Sequence, residues 1–364
     1  MFGVKREFHH TLLIQTFKLP CRSMIMRVFL IVLLVIGCLV ACVTIPQEAS
    51  VKRIHGASVV NPPRPIDATT FASIKQVNAE WIAVIPYGFS RAGQPDVSFD
   101  HSRQWWGEHT DGNCMLIQIA KEHGMKVMCK PHVWVRGQGW AGDFNLDSQE
   151  EWIKWEQDYA KYILNHAVKA DSMKVEMFCI GTEYRIPARE RPVFWRELVG
   201  KVREVYSGKI TYASNWDNYQ NIEWWDAVDY IGIDAYFPLA EGDHPNMEEI
   251  KFGWEPVKKE LASFSKKWGK PILFTEYGFQ SIDGATGNHW EVDKSTVLPN
   301  SQLQADAYEA TFQAFENESW FAGGFFWKWH FTMREGDWYQ KEWTPQNKPA
   351  TDIIARWYGK NNSE

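Results

Sequence analysis

Several absences narrow the field before any motif is read. Cysteine is scarce: there are six in 364 residues, and Cys21, Cys38 and Cys42 fall within the first 42. The other three, Cys114, Cys129 and Cys179, make no C-x-x-C pair. Their odd number excludes a disulfide framework, and they read as small buried hydrophobes. Positive charge is also short, with 39 Lys and Arg against 45 Asp and Glu and a formal net charge of −6. That balance argues against nucleic acid as a partner. No H-E-x-x-H or comparable metal-ligand spacing occurs, so neither a metal nor a cofactor is expected. Glycine (25) and proline (17) stand near average, which excludes collagen-like and disordered chains.

Long apolar runs are missing with one exception, Val28 to Val40, preceded by Arg27. As a helix it rises about 20 Å, short of the roughly 30 Å hydrocarbon core. A basic residue, a short apolar stretch and small residues behind it describe a secretory signal better than a membrane span. Leu39-Val40-Ala41-Cys42 resembles the lipobox of bacterial lipoproteins, which implies a lipid on Cys42 as the mature first residue. Val43 follows where an inner-membrane retention cue would place Asp, so the expected location is the cell envelope, lipid-anchored at the outer membrane or cell surface. Residues 1–42 are therefore assigned to a lipoprotein signal peptide. Met24 or Met26 would start a signal of ordinary length, so 1–23 read as a start-site artefact or an extended basic region. Without the signal the chain is more acidic still, 34 basic residues against 44 acidic.

What the chain has in excess is tryptophan, twenty residues, within 15% aromatics and 45% apolar content. Flat apolar faces serve two ends, packing a large core and stacking on flat ligands such as sugar rings. Position decides between them.

Residues 43–53 are polar and read as a tether. From Ile54 onward short β-rich runs alternate with amphipathic helices. The runs are 55–60, 81–86, 125–131, 175–181, 209–213, 228–234, 271–275 and 324–327. The clearest helix starts at Ser148, where Ser148 and Glu151 fit a capping box and Trp152, Trp155, Tyr159 and Ile163 recur at three and four residues. Others are expected near 111–123, 191–205, 247–267 and 302–316. Eight β units separated by helices without a linker predict a single α/β domain over 54–364, a (β/α)8 TIM barrel. A G-x-G-x-x-G match, Gly137 to Gly142, carries the bulky Trp140 and reads as an active-site loop rather than a dinucleotide site.

Barrel enzymes place reactive groups at the C-terminal ends of strands, where the βα loops ring one mouth. The fourth run ends in Thr182-Glu183-Tyr184 and the seventh in Thr275-Glu276-Tyr277, the same tripeptide twice. A carboxyl at the end of a buried strand needs a partner or a function. Two opposed carboxyls are what glycoside hydrolysis requires, one neutral to protonate the departing oxygen and one ionised.

Glutamates on strands four and seven resemble the signature of clan A retaining glycoside hydrolases. The surrounding text is similar to glycoside hydrolase family 113, the β-mannanase family. The matching stretches are Lys130–Trp134, Phe178–Glu183, Ile210–Trp216, Asp229–Leu239 and Leu273–Gly278, in the right order. This resemblance implies Glu183 as acid/base and Glu276 as nucleophile, acting on β-1,4-mannosidic bonds of mannan or manno-oligosaccharides with retention. The same machinery on glucan, xylan or galactan stays open, as does a non-catalytic glycan-binding lipoprotein. Where the wider clan has an Asn before the acid/base, this chain has Thr182, so Thr182 or Asn215 must meet the sugar 2-hydroxyl.

Further substrate-binding candidates follow from strand ends. Tyr236 is placed to hydrogen-bond Glu276. Asp234 is placed to bind a hydroxyl or to pair with Lys130, and His132 ends the third strand. Trp327 and Trp329 end the eighth strand on the same face by alternation, with Trp327 preferred as the sugar platform and Trp329 second. Trp134 and Trp216 are expected at neighbouring subsites. Trp152, Trp155, Trp195, Trp268, Trp320 and Trp357 read as packing. Trp105, Trp106, Trp140 and Trp338 read as loop residues extending the cleft. The partners expected are a β-linked glycan and, through Cys42, a membrane, with the protein a monomer.

Overall fold

The computed structural model describes residues 53–138, 140–288, 295–333 and 336–360. The lipobox with Cys42, residues 43–52 of the tether, Gly139 of the loop motif and residues 361–364 lie outside the described residues.

Eleven strands are described: β1 Ile54–Val59, β2 Trp81–Val84, β3 Tyr87–Arg91, β4 Gln94–Ser98, β5 Lys126–Cys129, β6 His132–Arg136, β7 Met177–Thr182, β8 Lys209–Asn215, β9 Ile231–Asp234, β10 Ile272–Tyr277 and β11 Phe321–Trp329. Eight of them, β1-β2-β5-β7-β8-β9-β10-β11, close into a parallel barrel in chain order. Each coincides with one of the eight apolar runs. Helices including Thr110–Glu122, Gln149–Ser172, Pro192–Val205, Met247–Trp268 and Ser301–Phe315 alternate with these strands. The Ser148–Glu151 capping box is present as expected: the Ser148 hydroxyl accepts from Glu151 N at 3.2 Å, and the Glu151 carboxylate accepts from Ser148 N at 3.1 Å. Arg53, at the end of the expected tether, already belongs to the barrel. It is buried, and its guanidinium donates to the carbonyls of Glu316, Glu318 and Phe321.

Strand alternation divides the core. Trp81, Ala83, Met128, Met177, Cys179, Leu273 and Phe325 point inward and fill the barrel. Phe325 occupies so much of that interior that a side chain at Gly56 would collide with its ring. The larger core lies between barrel and helices, and there most tryptophans sit. Trp155 stacks on Tyr159 at 4.9 Å and meets Tyr184 at 5.3 Å, and Trp195 stacks on Trp224 at 5.4 Å. This aromatic block is anchored to the barrel by Tyr159, whose hydroxyl donates to Ile180 O at 2.9 Å. Tyr162 does the same for Pro86 O and His132 O, both at 2.9 Å. The block therefore braces the strand ends from behind. Cys129 and Cys179 are buried free thiols as expected, while Cys114 is only half-buried.

A second sheet was not expected. β3 pairs antiparallel with β4 and parallel with β6. It is an outward extension of the barrel: β3 follows β2 after Ile85-Pro86, and β6 follows β5 after Lys130-Pro131. Each proline lacks the N–H of a ladder residue and punctuates its strand. Register is kept across the break, with Lys130 N donating to Val84 O and His132 N to Pro86 O, both at 2.9 Å.

Replacing the fully buried Trp155 by Ala should lower unfolding free energy by about 3–5 kcal/mol. Urea denaturation followed by circular dichroism measures this, and an unchanged midpoint would refute the bracing role given to the block.

Candidate active site

Glu183 follows β7 directly and has φ +53°, a left-handed conformation that is uncommon for a residue with a side chain. Two backbone hydrogen bonds of 2.8 Å hold it there, from its own N–H to Ala213 O and from Arg185 N to its carbonyl. Its carboxylate accepts a hydrogen bond from Trp140 Nε1 at 2.7 Å. Burial raises the Glu183 pKa to about 8, reinforced by the charges of Asp234 and Glu276 and opposed by the Trp140 hydrogen bond and by Lys130. The site therefore favours the protonated form of Glu183.

Glu276, within β10, lies in the opposite setting. It is 6% exposed, and its carboxylate accepts hydrogen bonds from Lys130 Nζ and from Tyr236 OH, the latter at 2.7 Å. His132 Nε2 stands 3.6 Å away. The expected Tyr236–Glu276 contact is thus present. Lys130 also donates to Asp234 at 3.1 Å, and Thr275 Oγ1 donates to Asp234 at 2.7 Å. Burial pulls the Lys130 ammonium down, but the carboxylates of Asp234 and Glu276 outweigh it and the net shift is upward. Asp234 is pushed up by burial and by the charge of Glu276, against Lys130 and Thr275. One lysine thus faces two carboxylates, Asp234 and Glu276. His132 is held neutral by burial and by the nearby Lys130 charge.

Both glutamates open onto one cleft of ≈ 650 Å³, whose walls include Trp134, Trp140, Thr182, Asn215, Trp216, Tyr236, Trp327 and Trp343. Of the nine residues expected to bind substrate, six (His132, Trp134, Asn215, Trp216, Tyr236 and Trp327) are on the walls of this cleft. Three are not. Lys130 and Asp234 are fully buried beneath the cleft floor, and of the two readings for Asp234 the pairing with Lys130 holds. Trp329 is 1% exposed and donates from its indole to Ser73 Oγ at 3.1 Å, on the helix side of the barrel. The reason is a bulge. β1 pairs Ser58 with Trp327 but Val59 with Trp329, so Lys328 is an extra residue and the two tryptophans leave opposite faces.

Sequence reading missed two contributors. Trp343, unassigned in the sequence, packs its ring edge-on to Tyr236 at 5.2 Å. Trp140, expected only to extend the cleft, is the hydrogen-bond partner of Glu183, and its indole is covered by the Arg185 guanidinium 5.0 Å from the ring centroid. The G-x-G-x-x-G pattern around a tryptophan was the available signal for an active-site loop.

The model of glycoside hydrolase family 113 matches residues 66–348. The chain belongs to glycoside hydrolase family 113. By sequence search no curated protein matches it. Among solved structures, the family 113 β-mannanase AaManA of Alicyclobacillus acidocaldarius, in complex with ManMIm, is 25% identical with a TM-score of 0.74, over 84% of this chain and 97% of that one. A family 113 β-1,4-mannanase solved as a complex gives 25% identity and a TM-score of 0.74, over 85% and 99%. The β-glucuronidase of Ruminococcus gnavus shares the fold at 15% identity and a TM-score of 0.57, over 85% of this chain and 50% of that one.

This family 113 member is a glycoside hydrolase, and the hydrogen bond from Trp140 opposes the burial that raises the Glu183 pKa. Trp140→Phe keeps the aromatic face but removes the donor that lowers the Glu183 pKa. The alkaline limb of the pH dependence of kcat/KM should move to higher pH, by up to about one unit. A limb that stays in place or moves to lower pH would contradict the assigned hydrogen bond.

Proposed function

We propose that this family 113 enzyme hydrolyses β-1,4-mannosidic bonds in mannan or manno-oligosaccharides with retention, using Glu183 as acid/base and Glu276 as nucleophile. The observation that carries the reading is the opposite setting of two strand-end glutamates in one aromatic cleft. Glu183 is held protonated near neutral pH, while Glu276 faces an ammonium and a phenol that complement a carboxylate.

In the first step a Glu276 oxygen attacks the anomeric carbon. The bond from that carbon to the leaving sugar oxygen breaks, and the Glu183 proton goes to that oxygen. Glu183, now a carboxylate, then takes a proton from water as the water oxygen attacks the same carbon and the ester to Glu276 breaks. Two inversions give net retention. Trp327 supplies the platform for the sugar at the scissile bond, flanked by Trp134 and Trp216. The Thr182 hydroxyl is closed off from solvent, so Asn215 is the wall residue suited to the sugar 2-hydroxyl. The substrate assignment draws on the two family 113 mannanases at 25% identity.

The proposal extends to location. The chain works as a monomer in the cell envelope, held to the outer membrane or cell surface by a lipid on Cys42.

The central test is reducing-sugar release from β-mannan, glucan, xylan and galactan. Glu183→Gln and Glu276→Gln should each lower kcat/KM on mannan by about 10²–10⁴-fold or more, and proton NMR should find the β-anomer formed first. Full activity in either variant would sink the assignment, and turnover of another glycan in place of mannan would replace the substrate. For the anchor, Cys42→Ser should shift the protein from membrane to soluble fractions; retention on the membrane would refute lipidation.

A further inference from the structure

The second sheet turns the barrel's inward face into a wall that runs away from the catalytic carboxylates. Inward positions alternate along β2 at Trp81 and Ala83, and the same parity continues through β3 as Tyr87, Phe89 and Arg91. Along β5 and β6 it runs through Met128 and Lys130 to His132, Trp134 and Arg136. Tyr87 pairs with His132, Phe89 with Trp134 and Arg91 with Arg136. Three cross-strand pairs thus form one ladder, spanning about 13 Å at the usual strand rise.

The ladder is graded. Its inner rung, His132, is 3.6 Å from Glu276. Its middle rung is aromatic, and Trp134 is 56% exposed. Its outer rung is two arginines side by side, an arrangement that repels unless an anion lies between them. The cleft follows the same course. Beyond the catalytic cleft lies a space lined by Tyr87, Phe89, Trp134 and Trp327, and beyond that an outer cavity of ≈ 770 Å³. Arg91, Arg136 and Arg103 all line this outer cavity, and Trp134 lines all three spaces. None of the three guanidiniums has a carboxylate within ion-pairing distance among the described residues. The two acids of the cavity are otherwise engaged: Asp96 pairs with Lys154 at 2.8 Å, and Glu108 accepts from Trp105 N at 3.2 Å. Three unpaired arginines converging on one cavity stand out in a chain of net charge −6.

We propose that this outer cavity is a distal subsite for a carboxylate-bearing sugar, a uronic acid carried by the glycan whose backbone occupies the catalytic cleft. Planar guanidiniums match a carboxylate two bonds at a time, and exposed Trp134 and Trp105 supply stacking faces for its ring. This inference rests on the glycosidase reading above and adds the chemistry of a substituent to it.

The test compares kcat/KM for a uronate-substituted and an unsubstituted manno-oligosaccharide of equal backbone length. The wild-type protein should prefer the acidic one, on the order of tenfold, with the preference shrinking as salt is raised. Arg103→Ala/Arg136→Ala should bring the ratio to one or below, and Arg103→Lys/Arg136→Lys should restore part of it. A wild-type ratio at or below one, or a ratio untouched by the alanine pair, would overturn the proposal. A second arm measures binding of both oligosaccharides and of a sulfated analogue to Glu183→Gln by calorimetry. Because it needs no turnover, it separates failure of this subsite from failure of the hydrolytic assignment. Tighter binding of the uronate than of the neutral glycan supports the subsite, whereas tightest binding of the sulfated analogue would reassign it to sulfate and overturn the carboxylate.

Discussion

One buried ammonium organises the catalytic end of this barrel. Lys130 has no exposure, yet it reaches both Asp234 and Glu276. Burying a charge without a partner is prohibitive, and breaking such a cluster by removing one member typically costs about 3–5 kcal/mol. The cluster is therefore a constraint on the fold as much as a device of the site. It links the C-terminal ends of three strands, through Lys130 just past β5, Asp234 at the end of β9 and Glu276 one residue before the end of β10, and it sets where Glu276 points. Tyr236 closes the other side of that carboxylate, so its orientation is over-determined. Against this single positive charge stand three acids, Glu183, Asp234 and Glu276, and burial pushes the pKa of the first two upward. Among the described residues the Glu183 carboxylate accepts only from the Trp140 indole, and burial favours its protonated form. The two strand-end glutamates are thus distinguished by where one lysine reaches.

The tryptophan excess has a corresponding physical explanation. A barrel must hold strand ends steady while leaving the mouth open, so the rigidity has to come from behind. Trp155, Trp195 and Trp224, with Tyr159 and Tyr184, fill the space between barrel and helices at the strand that carries Glu183. The Tyr159 and Tyr162 hydroxyls then tie that block to strand carbonyls instead of being left unsatisfied. A second group, Trp134, Trp140, Trp216, Trp327 and Trp343, turns its faces or indole N–H into the cleft. The same residue type serves as brace and as cleft wall.

Most of the barrel is legible because its strands are buried on both faces and so read as continuous apolar runs. All eight runs coincide with strands. The carboxylates are legible for the converse reason, that a charged residue ending such a run is costly without a task. What escapes is whatever depends on a third element. The pairing of Asp234 with Lys130 is legible only as one of two readings, because the choice between it and a sugar hydroxyl depends on how deep β5 and β9 set both residues beneath the cleft floor. Trp329 escapes because one extra residue, Lys328, breaks the alternation that sequence reasoning has to assume. The second sheet escapes because Pro86 and Pro131 read as strand ends. In fact Tyr87-Gly-Phe89-Ser-Arg91 and His132-Val-Trp134-Val-Arg136 carry the same ring, ring, arginine order at alternate positions, a signal present in the chain but not in either segment alone.

That repeated order also explains why the cleft wall is strict rather than adaptable. On the back of the sheet Gly88 faces Tyr162, where an added side chain atom would lie 3.2 Å from the ring. A slip of one residue in β3 would bring Phe89 onto that tyrosine and turn Gly88 and Ser90 toward the cleft. The small residues behind and the large ones in front therefore exclude each other's register. Because β3 and β6 are direct continuations of barrel strands, this register is inherited from the barrel itself. The outer wall is consequently held by the same alternation that seats Lys130, which couples its geometry to the buried cluster of Lys130, Asp234 and Glu276.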